Sequence, residues 1–342
     1  MTNAAIALKS EYEEILECAK KESDIICVDD TGEHHKKENW FCTAIQNKFF
    51  AYYKSTKSKS RISFLKTMSG KHNDFVLNDE AFAYMRFCNT RKEIIDILMQ
   101  SKDKVLSSEA EFDEFIKNTL LACYRGVKSL KNIKEACLIG ALIYHGLDQN
   151  LILLSDGAGQ FNLFRHALCW VHIGRCFKKY IPENKKDEAD LTKVCDDFWD
   201  YYEELDKYSE APSIECQRCL SDKFDKIFRQ SVNNEKLSSL IFSIWERKDE
   251  LLRVFENPNT PLHNNGTESV IRPRVVKRKI SGPTRSEIGR ESRDIFASLD
   301  RTCRKNGISF WDFLGSRIKK DSIIPFLSEI IRQNMRARSP AA

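Results

Sequence analysis

The sequence has no apolar run approaching the roughly 18 to 20 residues that a bilayer-crossing helix needs. Its first residues, "MTNAAIALKSEYEEILECAKKESD", carry too many charges for a secretory signal peptide. Both absences point to an intracellular, cytoplasmic protein with no membrane partner. A second cysteine pair is also missing. Cys216 and Cys219 form a single C-x-x-C, and one pair falls short of the four ligands of a structural zinc site. Without an export signal, the twelve cysteines are expected to be reduced thiols in the core rather than disulfides. There is no internal repeat and no low-complexity segment, which excludes a solenoid or a disordered tail as the organising feature. What remains is a chain of 342 residues, 42% hydrophobic and 31% charged. That is ordinary for a globular protein and long enough for more than one domain.

Charge is unevenly spread. The net charge is +5, yet residues 271–305 hold eleven Lys or Arg against four Asp or Glu, +7 in all, so the remainder sums to −2. Concentrated positive charge is the footprint of a polyanion binder, although a solvated helix face gives the same composition.

Periodicity alternates between two patterns. Residues 5–22 place Ile6, Tyr12, Ile15, Leu16 and Ala19 near one helical face. "DIICVDD" (24–30) reads as a buried strand ended by acids. "WFCTAIQN" (40–47) and "KFFAYYKS" (48–55) read as a hairpin. "SRISFLKTM" (60–68) is helical and "DFVLND" (74–79) a short strand. Ser108 and Glu111 have capping-box spacing, followed at helical period by Phe112, Phe115, Ile116, Thr119, Leu120 and Cys123. "NIKEACLIGALIYHG" (132–146) ends at a glycine suited to a helix terminus. "NLILLSDG" (150–157) is a second buried strand, and "HALCWVH" (166–172) reads as a third. Residues 187–254 and the region after Pro283 are helical again. The pattern is an α/β core interrupted by two helical blocks.

Three acids stand out. Asp29 ends one strand, Asp156 ends another, and Glu268 opens a helix for which Asn264 or Asn265 is available as N-cap. Any of them taken singly reads as a turn or capping acid. Brought together by folding, three carboxylates repel unless a cation lies among them. Mg²⁺, with its preference for oxygen ligands, fits that need. Two such ions roughly 3.5–4 Å apart serve the attacking and leaving oxygens of phosphoryl transfer.

At these residues the sequence resembles the insertion sequence 66 family of transposases. The resemblance rests on "VDDTGEHHKKENWFCTA" (28–44), "LLSDGAGQF" (153–161) with "CWVHIGR" (169–175), and "HNNGTESVIRP…KRKISG" (263–282) continued by "GRESRDIFASLDRTCRKNGISFWDFL" (289–314). These blocks cover somewhat under half of the chain. The resemblance implies a ribonuclease H-like fold, with a mixed sheet core flanked by helices and carrying helical insertions. It implies a DDE triad of Asp29, Asp156 and Glu268 that is both catalytic and metal-binding. Asp30 is the alternative at the first position and Asp79 at the second. The cofactor implied is Mg²⁺ or Mn²⁺, two ions, and the partner is DNA, at element ends and target, bound by a homo-oligomer in the nucleoid. Arg272, Arg274, Lys277, Arg278, Lys279, Arg285 and Arg290 are the expected phosphate contacts, since arginine suits bidentate phosphate binding. Such contacts position DNA without reading its sequence. Arg272 shares a helix face with Glu268, and Pro273 is expected to bend that helix.

Other residues carry open readings. His172 is a candidate for the site or a phosphate. His34 and His35 are expected in an exposed turn, and Trp40 and Trp170 in the core. The expected organisation is an N-terminal helix (1–22), a first part of the core (23–79), a helical insertion (80–149), a second part of the core (150–182), a second insertion (183–256), the Glu268 helix with the basic part of the core (257–320), and a C-terminal helix and tail (321–342). Only about two dozen residues precede the first strand, where family members carry an end-recognition region. The expected activity is DNA strand cleavage and strand transfer. The alternatives are an inactive, repurposed DNA-binding derivative and a structure-specific nuclease of the same fold.

Overall fold

The computed structural model describes residues 2–120, 127–230, 232–321 and 323–337. The chain divides into two compact units. Unit 1 holds residues 1–24, 30–149 and 270–342, and unit 2 holds residues 25–29 and 150–269. Among the described residues a mixed five-stranded sheet has the order β3-β2-β1-β6-β7, and β4 pairs separately with β5. No described helix is long and apolar enough to cross a membrane.

Unit 1 opens with α1 (Thr2–Ala7) and α2 (Lys9–Glu22), split at Leu8 where one continuous helix was expected. Next come β1 (Ile25–His35), β2 (Glu38–Gln46) and β3 (Ala51–Thr56). Strand β1 gives its first five residues to unit 2 and the rest to unit 1. It runs six residues beyond Asp29, so Asp29 lies within the strand instead of ending it. The turn expected at His34 and His35 falls one residue later, at Lys36, whose φ is 55°. Strands β2 and β3 pair antiparallel from Phe41↔Thr56 to Gln46↔Ala51, the expected hairpin.

The helical block follows: α3 (Arg61–Ser69), β4 (Phe75–Val76), α4 (Asp79–Phe87), α5 (Lys92–Met99), β5 (Val105–Leu106), α6 (Glu109–Thr119) and α7 (Val127–Tyr144). The Ser108 hydroxyl accepts the Glu111 N–H at 3.2 Å, and the Glu111 carboxylate accepts the Ser107 N–H at 2.8 Å. The reciprocal bond comes from Ser107, one residue earlier than a standard capping box. Cys123 lies outside the described residues. Gly146, just past α7, has φ 91°, as a helix-terminating glycine requires.

Unit 2 contains β6 (Ile152–Ser155), β7 (Arg165–Leu168), α8 (Trp170–Phe177), α9 (Lys185–Glu210), α10 (Ile214–Phe228), α11 (Glu235–Trp245) and α12 (Lys248–Leu251). Strand β6 is buried at every position, as a parallel strand covered on both faces must be. The run "HALCWVH" divides: its first half is in β7, while Trp170 and His172 lie in the first turn of α8. Trp170 is fully buried among Phe198, Tyr201, Phe224 and Phe228. Its indole N–H donates to the carbonyl of Leu251 at 2.9 Å, so the ring is satisfied at both its apolar and polar ends.

Helix α13 (Asn265–Ser281) continues through Pro273, and α14 (Glu287–Lys305), α15 (Phe310–Lys319) and α16 (Leu327–Arg336) complete the chain. Helix α14 covers the outer edge of β3. Asp294, Ser298 and Thr302, each one turn apart, accept the backbone N–H groups of Ser55, Tyr53 and Ala51 at 2.8, 2.9 and 3.2 Å. An edge strand otherwise offers such groups to other chains.

The described cysteines are all free thiols. Cys42, Cys137, Cys169 and Cys303 are buried, and burial pushes each thiol pKa up.

Candidate active site

The site lies in unit 2. Strands β1 and β6 run parallel with Ile25↔Ile152, Ile26↔Leu153 and Cys27↔Leu154 in register. The register ends at Cys27↔Leu154, two residues short of Asp29 on β1 and of Asp156, which lies in the bend just past β6. Asp29 has the parity of Cys27 within β1. Asp30 has the opposite parity, and its carboxylate accepts the Thr43 hydroxyl at 2.6 Å. Asp79 is the first residue of α4, exposed and ion-paired with Lys102 at 2.8 Å. Each rival acid therefore has a local role.

The turn after β6 is built around Asp156. Its carboxylate accepts the N–H of Ala158 at 2.9 Å, and the Ser155 hydroxyl accepts that of Gly157 at 3.1 Å. Gly157 has φ 92°, and a Cβ there would sit 2.9 Å from Leu168 and 3.3 Å from Arg247, so only glycine fits. The Ser155 hydroxyl is also 2.8 Å from Nε2 of His166, which is buried. The other ring nitrogen of His166 bonds Glu250, which is bridged in turn by Arg247. Burial alone would raise the Glu250 pKa, but His166 and Arg247 hold it down at about 2.

Glu268, in the first turn of α13, is fixed from the opposite direction. The Asn264 side-chain amide donates to the carbonyl of Val28 at 3.0 Å, and the Asn264 N–H points to the thiol sulfur of Cys169 at 3.2 Å. The N–H of Trp170 donates to the carbonyl of Leu262 at 2.9 Å. The start of α13 is thus tied both to β1 and to the start of α8. Asn264 gives its side-chain amide to Val28 and its backbone N–H to Cys169, while its backbone carbonyl accepts the N–H groups of Thr267 and Glu268.

Arg175, one turn beyond His172 on α8, approaches Glu268 with two guanidinium nitrogens at 3.3 Å and donates to His172 Nε2 at 3.0 Å. His172 Nε2 is 3.5 Å from Glu268. Burial, then Arg175, pushes the His172 pKa down. With Nε2 accepting from Arg175, the proton lies on Nδ1, which is buried and without a partner. Asn264 Oδ1 is buried and unpartnered as well.

These features bear on whether the residues suit Mg²⁺. Three carboxylates and an amide oxygen are the hard donors it takes, with waters filling the remaining positions. The buried Asn264 Oδ1 is an acceptor suited to such a water. The donor set fits. The ligand oxygens of Asp29, Asp156 and Glu268 are not drawn to within 4.8 Å of one another, a spacing reached among the described residues by His72, Asp74 and His145 instead.

The basic residues divide. Arg272, Lys277, Lys279 and Arg285 are exposed, and Arg278 is half-buried. Burial, then the charges of Arg293 and Arg274, depress the Lys277 pKa. Arg274 corrects the expectation of phosphate contact: it is 3% exposed and bonds Glu33 at 2.7 and 3.0 Å and Asp294 at 2.6 Å. Arg290 is also largely taken up, over the Trp40 ring at 4.4 Å and bonded to Glu287 and the Ser55 carbonyl. His34 is exposed as expected, but His35 is buried between Thr284 and Glu287, each at 2.8 Å.

Sequence reasoning missed Arg175 and His166. The signal for Arg175 was its i+3 spacing from His172 within "CWVHIGR". His166 offered none, because its partner Glu250 is 84 residues away.

A mixed five-stranded sheet surrounded by helices, with β1 and β6 paired in parallel, defines an α/β protein. Residues 143–292 match the family model described as "Transposase IS66 family", and the chain belongs to that family of transposases. The matched stretch includes Asp156 and Glu268; Asp29 precedes it. The chain is similar to the uncharacterized protein y4jO of Sinorhizobium fredii, 34% identical over 296 residues that cover 86% of this chain and 92% of that one. No solved structure matches the chain.

Proposed function

We propose that this transposase-family chain is a DDE enzyme with a ribonuclease H-like core. In this reading it cuts DNA at the ends of an insertion sequence and joins the freed 3′-hydroxyl to target DNA, with Mg²⁺ as cofactor. The observation that supports this reading is the parallel pairing of β1 with β6, whose register ends two residues short of Asp29 and of Asp156. The family membership supports it.

In this reading Asp29 and Asp156 hold the metal ions and Glu268 completes one site. Bound Mg²⁺ supplies Lewis acidity to the attacking and leaving oxygens. The chain does the rest by positioning. The Ser155–His166–Glu250 chain and the Gly157 turn fix the Asp156 backbone. Asn264 fixes Glu268 relative to β1. Arg175 balances the Glu268 charge and, half-exposed beside it, is placed to take a phosphate oxygen. His172 accepts from Arg175 through Nε2 and so helps hold that guanidinium beside Glu268. The exposed cations Arg272, Lys277, Lys279 and Arg285, with the half-buried Arg278, hold the DNA backbone. DNA ends and target are the partners, bound by a homo-oligomer.

The test is a cleavage and strand-transfer assay on element-end DNA with Mg²⁺. Asp156→Asn and Glu268→Gln should reduce both products to background, with circular dichroism and DNA affinity unchanged. Wild-type rates in either variant would remove the mechanism. Cleavage without any joined product in the wild type would point to a structure-specific nuclease.

A further inference from the structure

His72, Asp74 and His145 belong to unit 1 and have no part in the triad. One ligand atom from each lies within 4.8 Å of the others. His145 Nε2 is 2.8 and 2.9 Å from the two Asp74 oxygens. The His72 and His145 rings stack with centroids 3.6 Å apart and planes 16° from parallel. The carboxylate of Glu17 is 3.5 Å from His72 Nε2 and is also bridged to the buried Lys20 at 2.7 Å. All four are mostly shielded from solvent, with side-chain exposures of 24% for His72, 14% for Asp74, 22% for His145 and 14% for Glu17.

The backbone delivers these groups from three separate places. Glu17 is on α2. His72 and Asp74 lie between α3 and β4, in a segment that turns at Gly70 with φ 65°. That left-handed conformation favours glycine, and a Cβ there would also crowd the Glu17 carboxylate at 2.9 Å. His145 follows α7 directly, and the chain turns away at Gly146.

We infer that His72, Asp74 and His145 form a binding site for a divalent d-block cation of the zinc class, with Glu17 as the neighbouring carboxylate. Two imidazoles and a carboxylate select such an ion over Mg²⁺, which prefers oxygen ligands. Zinc takes ligands at about 2.0–2.2 Å, so seating it draws the three side chains inward and turns the rings out of their stack. Asp74 and His145 are 71 residues apart in sequence. An ion there clips together the two ends of the helical block from β4 to α7, and its binding free energy becomes folding free energy.

The test uses the full chain, stripped with a chelator, desalted and titrated with Zn²⁺ or Co²⁺. The wild type should take up about one equivalent per chain at micromolar metal and gain thermal stability on doing so. His72→Ala combined with His145→Ala should weaken that uptake at least about 100-fold and abolish the thermal shift. Asp156→Asn should keep both, which separates this site from the proposed catalytic one, and Cys216→Ser with Cys219→Ser should keep both as well. If the double histidine variant does not fold, Asp74→Asn should still alter the Co²⁺ absorption spectrum. No uptake by the stripped wild type, an unaltered spectrum in Asp74→Asn, or loss of the equivalent on removing the two cysteines would each overturn the assignment.

Discussion

The Asn264 side-chain amide donates to the carbonyl of Val28 at 3.0 Å, so the residue ahead of the Glu268 helix is fastened to the residue ahead of Asp29. Two acids separated by hundreds of residues in sequence thereby share one anchor. Val28 is fully buried, so Asn264→Ala leaves its carbonyl without that donor. Urea unfolding should report a loss of about 1–3 kcal/mol. In the proposed reaction the variant should lose kcat more than KM, because the metal ligands lose alignment while the DNA contacts persist. Wild-type stability together with wild-type kcat would mean that the bond positions nothing.

Arg274 is the second case. It pairs with Glu33 and Asp294 inside unit 1, where both carboxylates are also buried. Arg274→Met strands two acids, and the expected cost is about 3–5 kcal/mol by denaturant unfolding. A loss below about 1 kcal/mol would contradict the network described.

The cations along α13 make a different prediction. Lys277, Arg278 and Lys279 changed together to Gln should lower DNA affinity. The slope of log affinity against log salt should become shallower by up to about 2.7, from roughly 0.9 per phosphate contact. An unchanged slope would show that this segment faces away from DNA.

Glu250 predicts a pH dependence. Its folded-state pKa is about 2 against an ordinary 4.5, and its side chain is 20% exposed. A depressed carboxylate pKa stabilises the fold above the unfolded-state value, and that stabilisation is lost as pH falls from about 4.5 towards 2. Its size is on the order of 3 kcal/mol. Glu250→Gln should lower stability at pH 7 and flatten the acid limb over that window. A limb as steep as in the wild type would assign the acid sensitivity to other groups.

What the sequence made legible was whatever local pattern controls. The apolar run of β6, the β2–β3 hairpin and the glycine after α7 all follow from side-chain period and turn chemistry. What escaped depends on partners distant in sequence. Arg274 looks like its exposed neighbours until Glu33 and Asp294 close around it, 241 and 20 residues away. His35 reads as a turn residue because its partners Thr284 and Glu287 come from the far end of the chain. The extent of β1 was missed because a strand paired in a sheet tolerates acids and glycine that local propensity assigns to turns. The helix carrying Trp170 and His172 was read as strand because a short apolar run does not reveal its period.

The central claim is that Asp29 and Asp156 grip the same metal. The direct measurement is Mn²⁺ anomalous scattering from crystals of the chain bound to element-end DNA. The account predicts a peak within coordination distance of both carboxylates, with Glu268 beside it. Manganese bound elsewhere, with Asp29 and Asp156 each lacking a metal contact, would contradict it.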